Sequence, residues 1–576
     1  MQSWMYWSDQ RSLYFAVVYS GLAILALLAI WPAISGKASV SIAGTLCYLA
    51  LVFLWIFLAR WPSLFHFVGF SIDEDQFLSA ARTLVDDPVF FRSTEAGSSG
   101  PLNIYPLLLP ALVGQMPTLF TGRVVGLLMI FGSLAMLQLY LRIFLAESLT
   151  RVLVLFPAIF FGLTSFWDFL HYTSELTPVF LVSVGVVLVA RAGFSPPQSK
   201  TLWMLYSTAA AAVLSLVPFA KLQAAYLALG IGFILVVATV IQKQFAWSVR
   251  LKCLFLVAIG SLILPAVFAA GMIYFGVFDY FIKSYVMNSI AYVESGHAMS
   301  WIALLRRIVE KAPEFQVLLA GWVACIAVIG IGLIVPLRTK LPGKLLSAAA
   351  FAVALLLLAA YTIASPKRDW THYLVFSPVI LAIVLGTFAG CLSYRLNRQS
   401  RLPVLRERAD LFLCVLILGL CCLPLLGYRL LNPNQFLGAA KIWHDLQTEP
   451  FTPIGKGIAK AANGTNGKLT VWGYNPNYHT ETGLKQATRL CISSAQFNEN
   501  SLKGFFRETY LEDLQHNRPG VFVDATSENQ FPALNDPKRF RHELVPGVRD
   551  FVARNYKLAE DIDGVRIYRF MANGTE

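Results

Sequence analysis

Long uninterrupted apolar runs dominate the first three-quarters of the chain. They fall at 13–34, 40–59, 122–144, 151–167, 175–193, 202–219, 222–241, 252–275, 315–336, 345–364, 372–393 and 410–428. Each is long enough for a helix to cross about 30 Å of hydrocarbon, which predicts about twelve membrane helices. A further run at 102–117 is broken by Pro106, Pro110 and Pro117. It is too short and proline-rich to span, and reads as a re-entrant or interfacial segment whose backbone is satisfied by protein or a cavity. After about residue 429 the pattern changes. Short β-like runs (Lys468–Tyr474, Gly520–Asp524, Val565–Phe570) alternate with helix-like stretches (Ser501–His516, Val548–Asn555). That alternation predicts a small α/β domain. The expected fold class is therefore an α-helical polytopic membrane protein over 1–428 with a C-terminal extracytoplasmic α/β domain over 429–576.

Composition agrees with lipid rather than water as the main solvent. Hydrophobic residues make up 57% of the 576 residues and charged residues 14%, against roughly a quarter charged in a soluble chain. Disorder is excluded on the same ground. The net charge, 46 − 33 = +13, would suggest nucleic acid in a soluble protein. Here the cations instead gather in short loops between apolar runs: Arg142 and Arg151; Arg191 and Lys200; Lys243, Arg250 and Lys252; Arg338, Lys340 and Lys344; Arg395, Arg398, Arg401, Arg406 and Arg408. These loops read as cytoplasmic by the positive-inside rule, and no nucleic-acid partner is expected. The long segments 60–121, 276–314 and everything after 428 then face outward. Lys37 alone marks the loop between the first two runs, and the first run lacks the flanks of a cleaved signal peptide. Seven of the eight cysteines lie in apolar segments, Cys421 and Cys422 among them, and show neither disulfide nor metal spacing. No internal repeat is visible, which speaks against an inverted-repeat transporter.

Candidate chemistry lies in the outward connections. The stretch SIDEDQFLSAARTLVDD at 71–87 places Asp73, Glu74 and Asp75 at the start of a helical pattern. Acids there suit a helix N-terminus, and a carboxylate at the membrane boundary also suits a general base; both readings hold together. GSSGPLNIYPLLLPALVG at 97–114 forms a turn and carries Tyr105. Arg123 follows, either snorkelling to the headgroups or facing a phosphate. Three shorter turns carry Asp168, His171 and Glu175; Lys221 and Gln223; and Lys367, Arg368, Asp369, His372 and Tyr373. Lys221 runs against the positive-inside trend, and boundary charges of that kind are costly and usually functional; its alternative is a snorkelling lysine. The Lys367–Asp369 cluster reads equally as a solvated ion pair. The two histidines lack zinc spacing. Outward cations and carboxylates together suit binding of a phosphate and deprotonation of a hydroxyl.

This arrangement resembles the GT-C superfamily of polytopic glycosyltransferases that use polyprenyl-phosphate sugars, which includes the aminoarabinose transferases and protein mannosyltransferases. Asp73-Glu74 matches the family's Asp-Glu signature in the first outer loop. GPLNIYPLLLPALVG stands where the family has a Pro-Pro-Leu-type turn, with Gly100-Pro101 in place of the proline pair, and Arg123 follows. Glu175, with Pro178, resembles the second acidic position, for which Asp168 is the rival. Lys221 in AKLQAA resembles the lysine on the lipid phosphate, and HYLVFSP at 372–378 a late outer turn. The resemblance covers roughly 40–430. It implies inverting transfer from a polyprenyl-phosphate-linked sugar to a hydroxyl of a lipid, glycan or protein acceptor, on the outer face of a bacterial cytoplasmic membrane. Asp73, Glu74 and Glu175 would be the catalytic acids. Lys221 with Arg123 or Arg368 would hold the phosphate, with Asp168, His171, Gln223, His372 and Tyr373 as further substrate contacts. Glu175 would place the acceptor or a divalent cation such as Mg or Mn, which needs oxygen ligands. The lipid tail would enter sideways between helices. A transporter or flippase of lipid-linked glycans is the alternative function. The aromatic run VWGYNPNYHTETGL at 471–484 could stack on a glycan or cover a sheet, and the tail is expected to cap the site.

Overall fold

The computed structural model describes residues 3–36, 41–334, 340–399, 408–433, 437–438, 440, 441, 444, 451–497, 499–528 and 535–571. Lys37, Arg338, Arg401 and Arg406, used above to orient the chain, lie outside them. Among the described residues, eleven helices are long and apolar enough to span a membrane: Arg11–Ile34, Ile42–Ala59, Leu119–Leu141, Leu176–Gly193, Lys200–Ala220, Leu222–Ile241, Trp247–Tyr274, Pro313–Ile334, Gly343–Ala364, Thr371–Arg398 and Ala409–Leu431. The chain is a multi-pass membrane protein.

The twelfth expected run, 151–167, forms the helix Glu147–Leu163, and all 17 of its residues are buried. At about 25 Å it is nearly as long as the span Ile42–Ala59. The helix is enclosed by Arg11–Ile34, Ile42–Ala59 and Ser377–Gln399. Its polar first turn is satisfied inside the protein. Glu147 accepts from Arg151 Nε and Thr45 Oγ1, each at 3.0 Å, and Arg151 donates onward to Leu28 O at 3.0 Å and Gly44 O at 3.2 Å.

The chain divides into two compact units: Met1–Ser63 with Gly126–Phe268 and Ser295–Ala440, and Leu64–Val125 with Ala269–Glu294 and Lys441–Glu576. The first holds most of the spans. The second gathers the long connection 64–125, part of the connection after Trp247–Tyr274, and the C-terminal region.

In the second unit a five-stranded sheet has the order β2-β1-β3-β5-β4. Its strands are β1 (Lys468–Trp472), β2 (Lys485–Gln486), β3 (Val521–Asp524), β4 (Tyr556–Ile562) and β5 (Val565–Phe570). β1 pairs parallel with β2 and β3, whereas β5 runs antiparallel to β3 and β4. Side-chain alternation sends Leu469, Val471, Val521, Val523 and Ile567 into one core, with Ile458 of the helix Pro453–Ala462. Trp472 and Phe522 enter the other, against Tyr510 and Leu514 of the helix Lys503–Asn517 and Phe551 of the helix Pro546–Asn555. The sequence pattern does not foresee β4, because YKLAEDI is a charged edge strand exposed at most positions. The Asp563-Gly564 turn after it, with both residues at positive φ, is the hairpin signal that identifies it.

The connection between the second and third spans is built onto this sheet. Arg82 donates to His479 O and Thr480 O, each at 3.2 Å, and through Nε to Pro117 O at 2.7 Å. Thr94 Oγ1 donates to Gln486 Oε1 at 2.7 Å, and Glu95 N–H to Arg489 O at 2.8 Å. The proline-broken segment forms a short helix, Pro101–Ile104, and a 3-10 helix, Tyr105–Val113, stopped by Gly114 at φ 75°. Leu112 and Val113 are 80% and 75% exposed.

Glu95 is buried beside Ser284 and Tyr280, and burial pushes its carboxyl up to about 8 from 4.5, with Ser284, Tyr280 and Arg489 opposing. The folded state thus holds a proton that the unfolded chain releases near pH 4.5. Stability contributed by this group is present in full below about pH 4.5 and is lost as pH rises through about 8. Melting temperature measured across that window is expected to fall with pH in the wild type and to lose that component in Glu95→Gln.

Candidate active site

The residues singled out in the sequence fall into two groups, one in each unit. In the first unit, Asp168, His171, Glu175, Lys221, His372 and Tyr373 come together from four chain segments. The 3-10 turn Trp167–Phe169 carries Asp168. Glu175 is the N-cap residue of the helix Leu176–Gly193. Lys221 breaks two spans: its extended backbone, φ −154° and ψ 121°, separates Lys200–Ala220 from the turn Leu222–Ala224. The 3-10 turn Thr371–Phe376, buried throughout, brings His372 and Tyr373.

Acids and bases alternate through this cluster. Lys221 Nζ donates to Glu175 Oε1 and to Ser174 Oγ, and Ser174 donates to the same carboxylate at 3.1 Å. The ammonium also lies 5.2 Å from the centre of the Tyr373 ring, within cation–π range. His372 stands between two carboxylates, with Nε2 4.0 Å from Glu175 Oε1 and Nδ1 3.8 Å from Asp168 Oδ1. His171 Nε2 is 3.9 Å from the same Asp168 oxygen, and Thr371 Oγ1 donates to Asp168 Oδ2. Burial pushes both carboxyls up, and the neighbouring cations overrule it. Asp168 is held well below the usual carboxylate range by His171 and His372, and Glu175 below it by Lys221 and His372. Both are therefore anionic at neutral pH. Two polar elements remain available: the third N–H of Lys221, and Glu175 Oε2, buried with no hydrogen-bond partner among the described residues.

Four residues that the sequence reading passed over hold this cluster. Ser174 and Thr371 bond directly to it. Arg60, buried at the end of the span Ile42–Ala59, donates to Phe161 O and Phe169 O at 3.0 Å each and to Leu170 O, so it fixes the turn bearing Asp168. Glu314 anchors the start of that loop, accepting from Ser165 N–H at 2.9 Å and Ser165 Oγ at 2.7 Å. A lone arginine directly after a span was the available signal for Arg60. Gln223 and Arg368 are engaged elsewhere in this unit. Gln223 Nε2 donates to Thr362 O at 2.7 Å, and Arg368 Nη2 to Ser295 Oγ at 2.7 Å.

In the second unit, the helix Ile72–Leu84 carries the three acids in its first turn, but Ser71 caps it, accepting from Asp73 N–H at 3.2 Å. The acids divide sharply. Glu74 takes Arg123 in a two-pronged pair, 2.8 Å from Nε and 2.9 Å from Nη2, and accepts Phe70 N–H at 2.9 Å. Arg123 is buried, stacks 4.2 Å over the Phe70 ring, and donates to Val68 O at 2.8 Å and to His66 O. Through these bonds Glu74 and Arg123 brace the chain at 66–70 against the helix. Asp75 accepts from Thr480 Oγ1 and packs so close to Gly69 that a Cβ there would lie 2.2 Å from it. Asp73 is half-buried, and no hydrogen bond or ion pair engages its side chain among the described residues. It lies near Tyr474, whose hydroxyl pKa is raised by burial and further by Asp73. Of the aromatic run at 471–484, Trp472 and Tyr478 are core residues of the sheet.

Breaking a buried pair from one side leaves a charge uncompensated, which costs about 3–5 kcal/mol. Arg123→Met is expected to destabilise the protein on that scale, and the double variant Glu74→Gln/Arg123→Met to recover most of it, as read by chemical denaturation in detergent.

A divalent cation fits the first group poorly. Hard cations need several free oxygen ligands, whereas Asp168 and Glu175 each already face cationic partners. One clustered set of potential ligands elsewhere, Asp524, His542 and Glu543, is filled by Arg566, 2.6 Å from Asp524 and 2.5 Å from Glu543.

No protein-family model matches the sequence, and no curated protein does. Solved structures do. ArnT from Cupriavidus metallidurans bound to undecaprenyl phosphate superposes with a TM-score of 0.54, at 13% identity, over 92% of this chain and 99% of that one. Its apo state gives 0.51 at 12% identity, over 90% and 97%. The chain has an ArnT-like fold. The helical part and the C-terminal sheet domain both belong to that likeness, since almost the whole of each chain is covered.

Proposed function

We propose that the protein is a glycosyltransferase that takes a sugar from a polyprenyl-phosphate-linked donor. The observation that carries this reading is a buried lysine with an N–H to spare, Lys221, held by Glu175 and Ser174 within a fold shared with an undecaprenyl-phosphate-bound ArnT. The acceptor hydroxyl attacks the anomeric carbon. The bond from that carbon to the phosphate oxygen breaks, and its electron pair leaves with the polyprenyl phosphate. Lys221 stabilises the charge on that leaving group, so no strong general acid is needed. Asp73 takes the hydroxyl proton, and its lack of a cationic partner suits it as a base. Attack opposite the leaving group inverts the anomeric centre. Glu175 keeps Lys221 in place, and its free oxygen accepts from a substrate hydroxyl. Asp168, flanked by His171, faces His372, which adds positive character beside Glu175.

The reading extends to placement. Residues 1–428 form the catalytic membrane domain, and 429–576 an extracytoplasmic domain, in a bacterial cytoplasmic membrane protein. The acceptor is a lipid, glycan or protein hydroxyl. Binding of undecaprenyl phosphate to the purified protein, followed by native mass spectrometry, tests the donor class. Retention of undecaprenyl phosphate in preference to undecaprenol supports it, and equal retention of the two contradicts it.

A further inference from the structure

The connection between the spans Trp247–Tyr274 and Pro313–Ile334 contains a ten-residue helix, Trp301–Glu310. It is too short and too charged to cross a membrane. Leu304 and Ile308 are buried against the protein, whereas Trp301 and Ile302 are 43% and 62% exposed. At 3.6 residues per turn, Trp301, Leu305, Val309 and Ile302 share an arc of about 100° beside the buried stripe. Arg306, Arg307 and Glu310 fall on the opposite arc and are exposed. One helix thus has an edge in the protein, an apolar edge without protein cover and a charged edge, the pattern of a helix lying in the plane of a bilayer surface.

A second connection enlarges the charged edge. The turn between the spans Gly343–Ala364 and Thr371–Arg398 carries Lys367, Arg368 and Asp369. Asp369 draws in two cations at once, Arg307 Nε at 2.8 Å and Lys311 Nζ at 2.6 Å, with His297 Nε2 at 3.4 Å. Arg306 pairs with Glu310 at 2.7 Å, and His297 N–H binds Lys367 O at 2.8 Å. Five cations (Arg306, Arg307, Lys311, Lys367, Arg368) face two carboxylates (Glu310, Asp369), a surplus of 5 − 2 = 3. Two spans separate the connections, so both emerge at one end of the unit. Thr371, next along, binds Asp168, so this is also the end that holds Lys221. Trp370, 48% exposed, adds an interfacial aromatic.

We infer that the Trp301–Glu310 helix and the 365–370 turn form a docking collar for the headgroups of anionic phospholipid in the adjacent leaflet. The apolar edge enters the acyl boundary and the surplus cations meet lipid phosphates. The collar stands whether or not the protein transfers a sugar.

The test uses the full chain in neutral detergent, titrated with phosphatidylglycerol or phosphatidylcholine and read by native mass spectrometry. Wild type is expected to prefer phosphatidylglycerol. The variant Arg306→Gln/Arg307→Gln/Lys311→Gln is expected to lose that preference by about 10- to 100-fold, from roughly fivefold per cation near an anionic surface. Arg306→Gln alone leaves the Asp369 pairs intact, guards against misfolding and should lose up to about fivefold. Ile302→Asn is expected to weaken both lipids. Equal retention of the two lipids by wild type, or an unchanged preference in the triple variant, would overturn the inference. So would displacement by millimolar inorganic phosphate, which marks a plain anion site, or an equal loss of undecaprenyl phosphate, which assigns the cations to the donor.

Discussion

Lys221→Met is expected to remove transfer activity and to weaken undecaprenyl phosphate binding about 10- to 100-fold, the range for losing a charged hydrogen bond. The rate falls further, by about 10²–10³, because charge builds on the leaving phosphate only as the sugar departs. The same substitution strands Glu175, buried and anionic, beside His372 alone. Its buried charge loses its main compensation, and stability drops by about 3–5 kcal/mol. The double variant Lys221→Met/Glu175→Gln removes the stranded charge. It is expected to regain most of the stability and none of the transfer, which separates the chemical role of the lysine from its structural one. Denaturation and transfer assays on the three proteins read the two quantities independently.

Asp73→Asn is expected to lower turnover by about 10²–10⁴, the usual contribution of a positioned base, with melting temperature and undecaprenyl phosphate binding unchanged. The structural ground is the contrast within one helical turn. Glu74 is committed to Arg123 and Asp75 to Thr480, while Asp73 has no side-chain partner among the described residues. Glu74→Gln is therefore expected to act through stability, Asp73→Asn through rate alone.

The membrane helices were legible because a span must satisfy its backbone internally and present apolar side chains to lipid, which writes a long apolar run. The helix Glu147–Leu163 carries the same apolar run although its neighbours are protein, and the Glu147–Arg151 pair lets its polar end be buried. In the site, Lys221 stood out because a lysine among alanines and leucines runs against the positive-inside trend and is costly at the membrane boundary. Arg123 stood out equally, and it is paired within the protein. Its partners, Glu74 and the carbonyls of residues 66 and 68, are some fifty residues away in sequence, and no local pattern reports a contact of that range. Ser174 and Thr371 went unnoticed because a hydroxyl gains meaning only from the carboxylate that a fold brings beside it. The C-terminal strands β1, β3 and β5 showed themselves by alternation, whereas the charged edge strand β4 did not.

Sugar transfer from a panel of labelled polyprenyl-phosphate sugars, in native lipid, with wild type beside Asp73→Asn, tests the central claim most directly. The account predicts release of polyprenyl phosphate and an inverted product by wild type from at least one donor, and collapse of both in the variant, which stays folded and still binds undecaprenyl phosphate. Equal transfer by the variant would contradict Asp73 as the base, and wild-type transfer with a retained anomeric centre would contradict the single displacement.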